Sequence, residues 1–397
     1  MAEEREEIIE EVVGGELGAP QAVMVELFKR LPRHASRLAQ RVAQLRRIID
    51  GCEPLKKVLV SDRPIEAGVW EPRVGVAVDS TFPPEGGIDL VVGTLIGVVA
   101  GYLLYHDAIG VGLEKKAVQA LPAVIESMDE AKRVAAEASK LLERRLVLKT
   151  ILPRLPSDSI VLVDGEIVPY LLYFTRPVRS LRRRLDETTS SVLRVAREKR
   201  IVIAGVVKRS YTFLFSVYGA QCTGGKRLPL NDKSLASLVL QPGRYLVLGR
   251  YSELLPLYAR LVSSRVPPEK MARLVEERLG ERSEYGDVIV AFYKPSRVPE
   301  AWQAVKLEVY APWLEPEEAV RRVVSHLDLL TNRATGLPYP IDFIDQIVRL
   351  EARALDIVRQ RLFRLLAEKL VENGLPEDKA LLLTFYTNPE KRYLYRP

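Results

Sequence analysis

Asp79 and Asp164 each end a hydrophobic run, Val74-Gly75-Val76-Ala77-Val78-Asp79 and Ile160-Val161-Leu162-Val163-Asp164-Gly165. Apolar, β-branched runs of this kind are strands buried on both faces, and open α/β sheets carry their sites at the carboxyl ends of such strands. Two carboxylates brought together at one rim repel each other unless a cation holds them. An oxygen-only ligand set suits Mg²⁺ or Mn²⁺ rather than zinc. The chemistry predicted is phosphoryl transfer, in which two ions about 3.5–4 Å apart clamp the attacking and leaving oxygens of an in-line displacement. An aspartate can also end a strand merely by bonding its own turn, and Asp-Gly is a common turn dipeptide. Two matched strand ends carry more weight than either alone.

A two-ion site needs a third and usually a fourth carboxylate. The helical stretch 128–152 between the two strands offers Asp129, Glu130, Glu137 and Glu143. Glu143, in Leu141-Leu142-Glu143-Arg144-Arg145, is preferred because it is nearest the strand bearing Asp164 and lies among apolar neighbours; Glu137 is the second choice. Lys208-Arg209 closes the run Ile201-Val202-Ile203-Ala204-Gly205-Val206-Val207 and would bring a cation to the same rim, to hold a scissile phosphate or offset developing charge. In Pro338-Tyr339-Pro340-Ile341-Asp342-Phe343-Ile344-Asp345, Asp342 is explained by helix capping and the macrodipole, while Asp345, a turn further in, is placed to complete a metal site. Arg176, Arg179, Arg182, Arg183 and Arg184 are spaced through apolar residues as a phosphate-tracking surface would be.

The chain has 397 residues, 47% of them hydrophobic, enough for two or three domains by length. A net charge of +7 is compatible with a polyanionic partner without demonstrating one. Two cysteines, Cys52 and Cys222, and three histidines, His34, His106 and His326, have no ligand spacing between them, which argues against both a structural zinc site and a disulfide framework. The amino terminus is acidic and unlike a signal peptide. The longest apolar stretch, 88–105, is broken by glycines and carries Asp89, so it reads as paired strands and not as a membrane helix. A cytoplasmic location without membrane association is expected.

Positioning these residues requires particular elements. Leu38, Val42, Leu45 and Ile49 recur three or four apart in a helix over 36–49 that Gly51 stops. With an amphipathic piece at 8–13, residues 1–52 form a helical arm that either packs on its own domain or serves dimerisation or partner docking. The core follows: strands at 74–79, 88–99 and 102–105, a helix over 128–152, the strand of Asp164, a helix around 190–198, and a strand at 201–207. Strand, strand, strand, helix, strand, helix, strand is the layout of an RNase H-like mixed sheet flanked by helices, in which the first strand pairs with the fourth. Further strands are expected at 245–248, 287–293 and 302–310, then a helix over 317–330 and one long helix over 341–372. The divisions are 1–52 for the arm, 53–350 for the catalytic domain, and 351–397 for a terminal helix and basic tail.

Val76-Ala77-Val78-Asp79-Ser80, Val161-Leu162-Val163-Asp164-Gly165, Ala204-Gly205-Val206-Val207-Lys208-Arg209 and Leu337-Pro338-Tyr339-Pro340-Ile341, in that order, resemble the archaeal NurA nuclease family. The resemblance implies an RNase H-like fold and Mn²⁺ or Mg²⁺ dependence with two ions. It also implies a homodimer with a central channel for DNA, and work with the hexameric ATPase HerA in DNA end resection. By it Asp79 and Asp164 are metal ligands, Glu143 is the helix acid and Lys208 lies at the active centre. Asp345 stands where the family typically has a histidine, which would restore an all-carboxylate set. The expected activity is that of a metal-dependent DNA nuclease, a single-strand endonuclease and 5′–3′ exonuclease. The alternative is a non-catalytic DNA-binding or ATPase-regulating subunit that keeps the fold.

Overall fold

The computed structural model describes residues 21–83, 88–90, 93–105, 114–120, 123–125, 128–168, 179–262, 266–349, 352–377 and 379. The piece at 8–13, His106, Arg176 and the basic tail at 391–396 lie outside them. The strands are β1 (Arg63–Pro64), β2 (Gly75–Thr81), β3 (Ile88–Leu90), β4 (Gly93–Ile96), β5 (Val99–Tyr105), β6 (Glu114–Ala120), β7 (Ala123–Ile125), β8 (Ile160–Asp164), β9 (Val202–Val207), β10 (Arg244–Arg250), β11 (Ile289–Lys294) and β12 (Val305–Tyr310). Apart from short turns of helix, the helices are α1 (Gln21–Gly51), α2 (Glu53–Leu59), α3 (Met128–Leu146), α4 (Arg179–Lys199), α5 (Asp232–Val239), α6 (Tyr251–Val262), α7 (Pro268–Glu281), α8 (Pro316–Leu329), α9 (Tyr339–Val348) and α10 (Ala352–Glu372).

Nine strands form one mixed sheet in the order β1-β10-β11-β12-β9-β8-β2-β5-β6. β2, β5 and β6 make an antiparallel meander, and β2, β8 and β9 run parallel at its centre. First therefore pairs with fourth, as the RNase H-like layout requires. Strand alternation then sorts the side chains to two faces. Val76, Val78, Val161, Val163 and Ile203 share one apolar cluster with α3, α4, α6 and α7. Ala77, Leu162, Ala204, Val206, Leu307 and Val309 share the other with α8 and α9. Burial on both sides is why these strands read as continuous apolar runs.

Several boundaries differ from the sequence reading. The run 88–99 is not one strand: β3 and β4 pair in a second, three-stranded sheet with β7, and Val99 begins β5. Gly101 does not break β5, because it sits opposite Asp79 inside the ladder. The third strand of the meander is β6, whose Glu114-Lys115-Lys116 start lacks an apolar pattern. α4 begins well before residue 190. The long terminal helix is two helices, since Arg349 leaves the helical region at φ −60°, ψ 124°. α1 runs from Gln21 through Pro32, with its stripe divided in use: Leu45 is buried and Ile48 and Ile49 pack on the core, while Leu38 and Val42 stay exposed.

The cysteines overturn a further expectation. Cys52 and Cys222 form a disulfide across 170 residues, tying the junction of α1 and α2 to the segment after β9. Neither local spacing nor a motif announces such a pair, because only the tertiary fold makes them neighbours.

Candidate metal centre

Parallel pairing of β2 with β8 places Val78 beside Val163, so the next residues, Asp79 and Asp164, emerge together at the carboxyl rim. Asp164 is in register with Val206 on β9, and Lys208 leaves that strand on the same face two residues later. α9 packs across this face of β2 and β8 and contributes Asp345. One carboxylate oxygen from each of Asp79, Asp164 and Asp345 lies within 4.8 Å of the others. Lys208 Nζ is 2.7 Å from Asp164 Oδ2 and 3.9 Å from Asp345 Oδ1. Asp342, by contrast, accepts hydrogen bonds from Asn332 and Thr335 in the turn that opens α9.

The opposite face supplies Glu143. α3 is flanked by the sheet and α4, and Ala131, Ala135, Ala138, Leu142 and Leu146 recur at helical spacing as its buried stripe. Glu143 follows Leu142 into that interior and is fully buried. Its Oε2 accepts from Ser80 Oγ and from Lys140 Nζ, each at 2.8 Å, and its Oε1 accepts from Arg144. Ser80 N–H in turn donates to Asp79 Oδ1 at 2.7 Å, and Lys140 Nζ also donates to the Asp164 carbonyl at 2.8 Å. Glu143 thus stands behind the aspartates, joined to them through Ser80 and Lys140. Glu137 faces Arg182, Arg133 and Asp186 toward α4 instead, and its Oε2 has no hydrogen-bond partner. The side chains of Asp129, Glu130 and Arg179 lie outside the described part. Arg182 is buried, so of the remaining arginines only Arg183 and Arg184 present an exposed surface.

The electrostatics follow from this crowding. Burial pushes the Asp79 carboxyl well above the ordinary range, Asp164 and Glu143 push it further, and Lys140 opposes them. Burial likewise raises Asp164, against the pull of Lys208 and Lys140. Burial alone would lower Lys140 and Lys208, but the acids outweigh it and both ammonium groups are held more firmly. Four carboxylates meet three cations, Lys140, Arg144 and Lys208. Oxygen donors with excess negative charge, the Asp79 and Asp164 carboxyls raised by burial first and by neighbouring acids second, fit a hard divalent cation.

Sequence reasoning missed Lys140 and Arg144. Lys140-Leu141-Leu142-Glu143-Arg144 carries its charges at the spacing of an exposed salt-bridged face, and only burial of that turn turns them inward. In the sequence Gly205 reads only as part of a strand. A Cβ there would lie 2.5 Å from the Gly165 carbonyl, so its absence lets the strap 165–168 cross the sheet directly after Asp164.

A rim of carboxylates on an RNase H-like sheet defines the class of fold, and comparison with known proteins narrows it. A crystal structure of the NurA nuclease from Sulfolobus solfataricus superposes with a TM-score of 0.55 at 12% identity, covering 88% of this chain and 99% of that one. A structure of NurA with manganese gives 0.51 at 13% identity, with 88% and 99% covered. The fold is NurA-like. No family model matches the sequence, and no curated protein matches it. Among the described residues no helix is long and apolar enough to cross a membrane.

Proposed function

We propose that this chain is a metal-dependent DNA nuclease, and that Asp79, Asp164 and Asp345, with Glu143 behind them, hold its catalytic cations. The observation that carries the reading is the convergence of three carboxylates from β2, β8 and α9 within 4.8 Å at one rim of a NurA-like sheet. Bound there, Mn²⁺ or Mg²⁺, probed as two ions, would supply a nucleophile at neutral pH and neutralise the leaving oxygen. Lys208, bridging Asp164 and Asp345, is placed to receive a non-bridging phosphate oxygen when those acids turn to a cation. Lys140 and Arg144 orient Glu143, and Ser80 fixes the Asp79 carboxylate through its N–H. Arg183 and Arg184 offer exposed charge for the backbone of the strand.

The finer expectations belong to the same reading: single-strand endonuclease and 5′–3′ exonuclease activity, a homodimer, and cytoplasmic work in end resection with a HerA-type hexameric ATPase. The alternative, a non-catalytic DNA-binding or ATPase-regulating subunit, rests on Asp345 standing where the family typically has a histidine. The proximity of Asp345 to the two aspartates favours a competent all-carboxylate set instead. The decisive experiment incubates the purified chain with oligonucleotides labelled at either end, in Mn²⁺ and in chelator. Chelator-sensitive shortening that Asp79→Asn or Asp164→Asn abolishes is expected; full activity in either variant overturns the assignment. Tight binding without cleavage would favour the non-catalytic subunit.

A further inference from the structure

Beside the carboxylate rim, on the face that carries Glu143, a cavity of about 250 Å³ opens between the strap after β8, the loop after β9 and α6. Its lining includes Glu166, Tyr211, Thr212, Tyr251, Tyr258 and Lys306. Two of its walls adjoin the candidate site in sequence: Glu166 is two residues past Asp164, and Tyr211 three past Lys208. Arg144 binds the two together. One of its nitrogens donates to Glu143, and another donates to the carbonyls of Glu166 and Ile167 at 2.7 and 2.9 Å.

The floor is polar and buried. Lys306 is 1% exposed and pairs with the fully buried Glu308 at 3.0 Å. Glu308 is already well occupied: Oε2 accepts from Ile167 N–H at 2.8 Å, and Oε1 accepts from Tyr251 OH as well as from Lys306. An ammonium has three donors and no acceptor, so the group that completes the Lys306 shell from the cavity must present acceptors. Glu166 and Glu308 around the same ammonium disfavour a free phosphate there. The mouth carries Tyr211, 74% exposed, whose open ring face is available for stacking. Aromatic rings and a lysine around a space below that of drug-sized sites suit one planar heterocycle and not a duplex.

We propose that this cavity seats the base of the nucleotide adjoining the scissile phosphate, with Tyr211 stacking on it and Lys306 donating to its ring or carbonyl acceptors. The inference rests on the nuclease reading for the identity of the strand, but its test does not need cleavage. In chelator, a single-stranded oligonucleotide carrying 5-iodouracil is bound, irradiated and the crosslinked peptides mapped. Expected are crosslinks to the peptide holding Tyr211 or Tyr258. In the same buffer Tyr211→Ala should weaken oligonucleotide binding about five- to a hundredfold, the range for one base stacked on one aromatic side chain, and Tyr211→Phe should restore it. Tyr211 is exposed, so its loss leaves the core intact. Unchanged affinity in Tyr211→Ala, or crosslinks only elsewhere, overturns the pocket. Failure of Mn²⁺-dependent cleavage with base capture intact would overturn the nuclease reading and leave the pocket standing.

Discussion

At the scale of single residues, the carboxylate cluster is a stability liability that a cation would relieve. The folded protein raises the Asp79 pKa by burial, by Asp164 and by Glu143, so the cation-free site favours the fold at pH below the ordinary aspartate range and loses that contribution as pH rises through the raised value. Without metal at neutral pH, Asp79→Asn should therefore be more stable than wild type by on the order of 1 kcal/mol, read as a rise in melting temperature. Added Mn²⁺ should stabilise wild type and not the variant, and the wild-type gain should grow with pH as protons leave the acids. A Mn²⁺ response equal in both proteins would contradict the ligand assignment. Glu137 and Glu143 of α3 separate on the same measurement. Glu143→Gln strips Arg144 and Lys140 of a buried partner and should cost about 3 kcal/mol along with cation binding. Glu137 has an oxygen with no hydrogen-bond partner and a carboxyl raised by burial, so Glu137→Gln should leave both stability and Mn²⁺ affinity within about 0.5 kcal/mol of wild type.

At the scale of elements, the rim depends on a strap held close to the sheet. Replacing Gly205 with alanine drives a Cβ against the Gly165 carbonyl and Ile167, both anchored by the crossing, so the variant should lose about 1–3 kcal/mol and cleave more slowly, because Asp164 immediately precedes the displaced strap. Normal melting with normal cleavage would show the strap to be compliant. The Cys52–Cys222 bond closes a span of 170 residues, and Cys52→Ser should cost about 2–4 kcal/mol by freeing the unfolded chain and the α1–α2 junction. How much of this was legible in the sequence follows one rule: features written in a local period could be read, and features created by long-range packing could not. β2, β8 and β9 were readable because burial on both faces leaves an unbroken apolar run that stops at Asp79, at Asp164 and before Lys208. β6 was not, since its opening Glu-Lys-Lys has no alternation. The split of the last helix turned on the extended backbone of Arg349, which no glycine or proline marks there. Lys140, Arg144 and the disulfide required knowing which face of α3, and which segment after β9, the fold would bury.

At the scale of the whole molecule, α1 is the element on which a test of assembly turns. The helix has 31 residues, roughly 45 Å at 1.5 Å per residue, and among its described side chains Leu45, Ile48 and Ile49, in its last turns, pack on the core. Leu27, Leu31, Leu38 and Val42 lie on one stripe, and each stays open to solvent, at 53, 52, 57 and 43%. Leu45 continues that stripe and is 1% exposed, so the same face is buried where the core reaches it and open where it does not. An apolar stripe held out on a helix fixed at its far end is suited to a helix-to-helix contact between copies, which would bury the same patch on both. A double variant, Leu38→Asp with Val42→Asp, should convert a dimer to a monomer in analytical ultracentrifugation at micromolar concentration. Its melting temperature should fall little, because neither side chain packs in the core. Mn²⁺ affinity should persist, since all four acids come from one chain. If wild type sediments as a monomer, or the variant still dimerises, α1 is not the contact between copies, and the exposed stripe is left for a different partner, such as the ATPase ring.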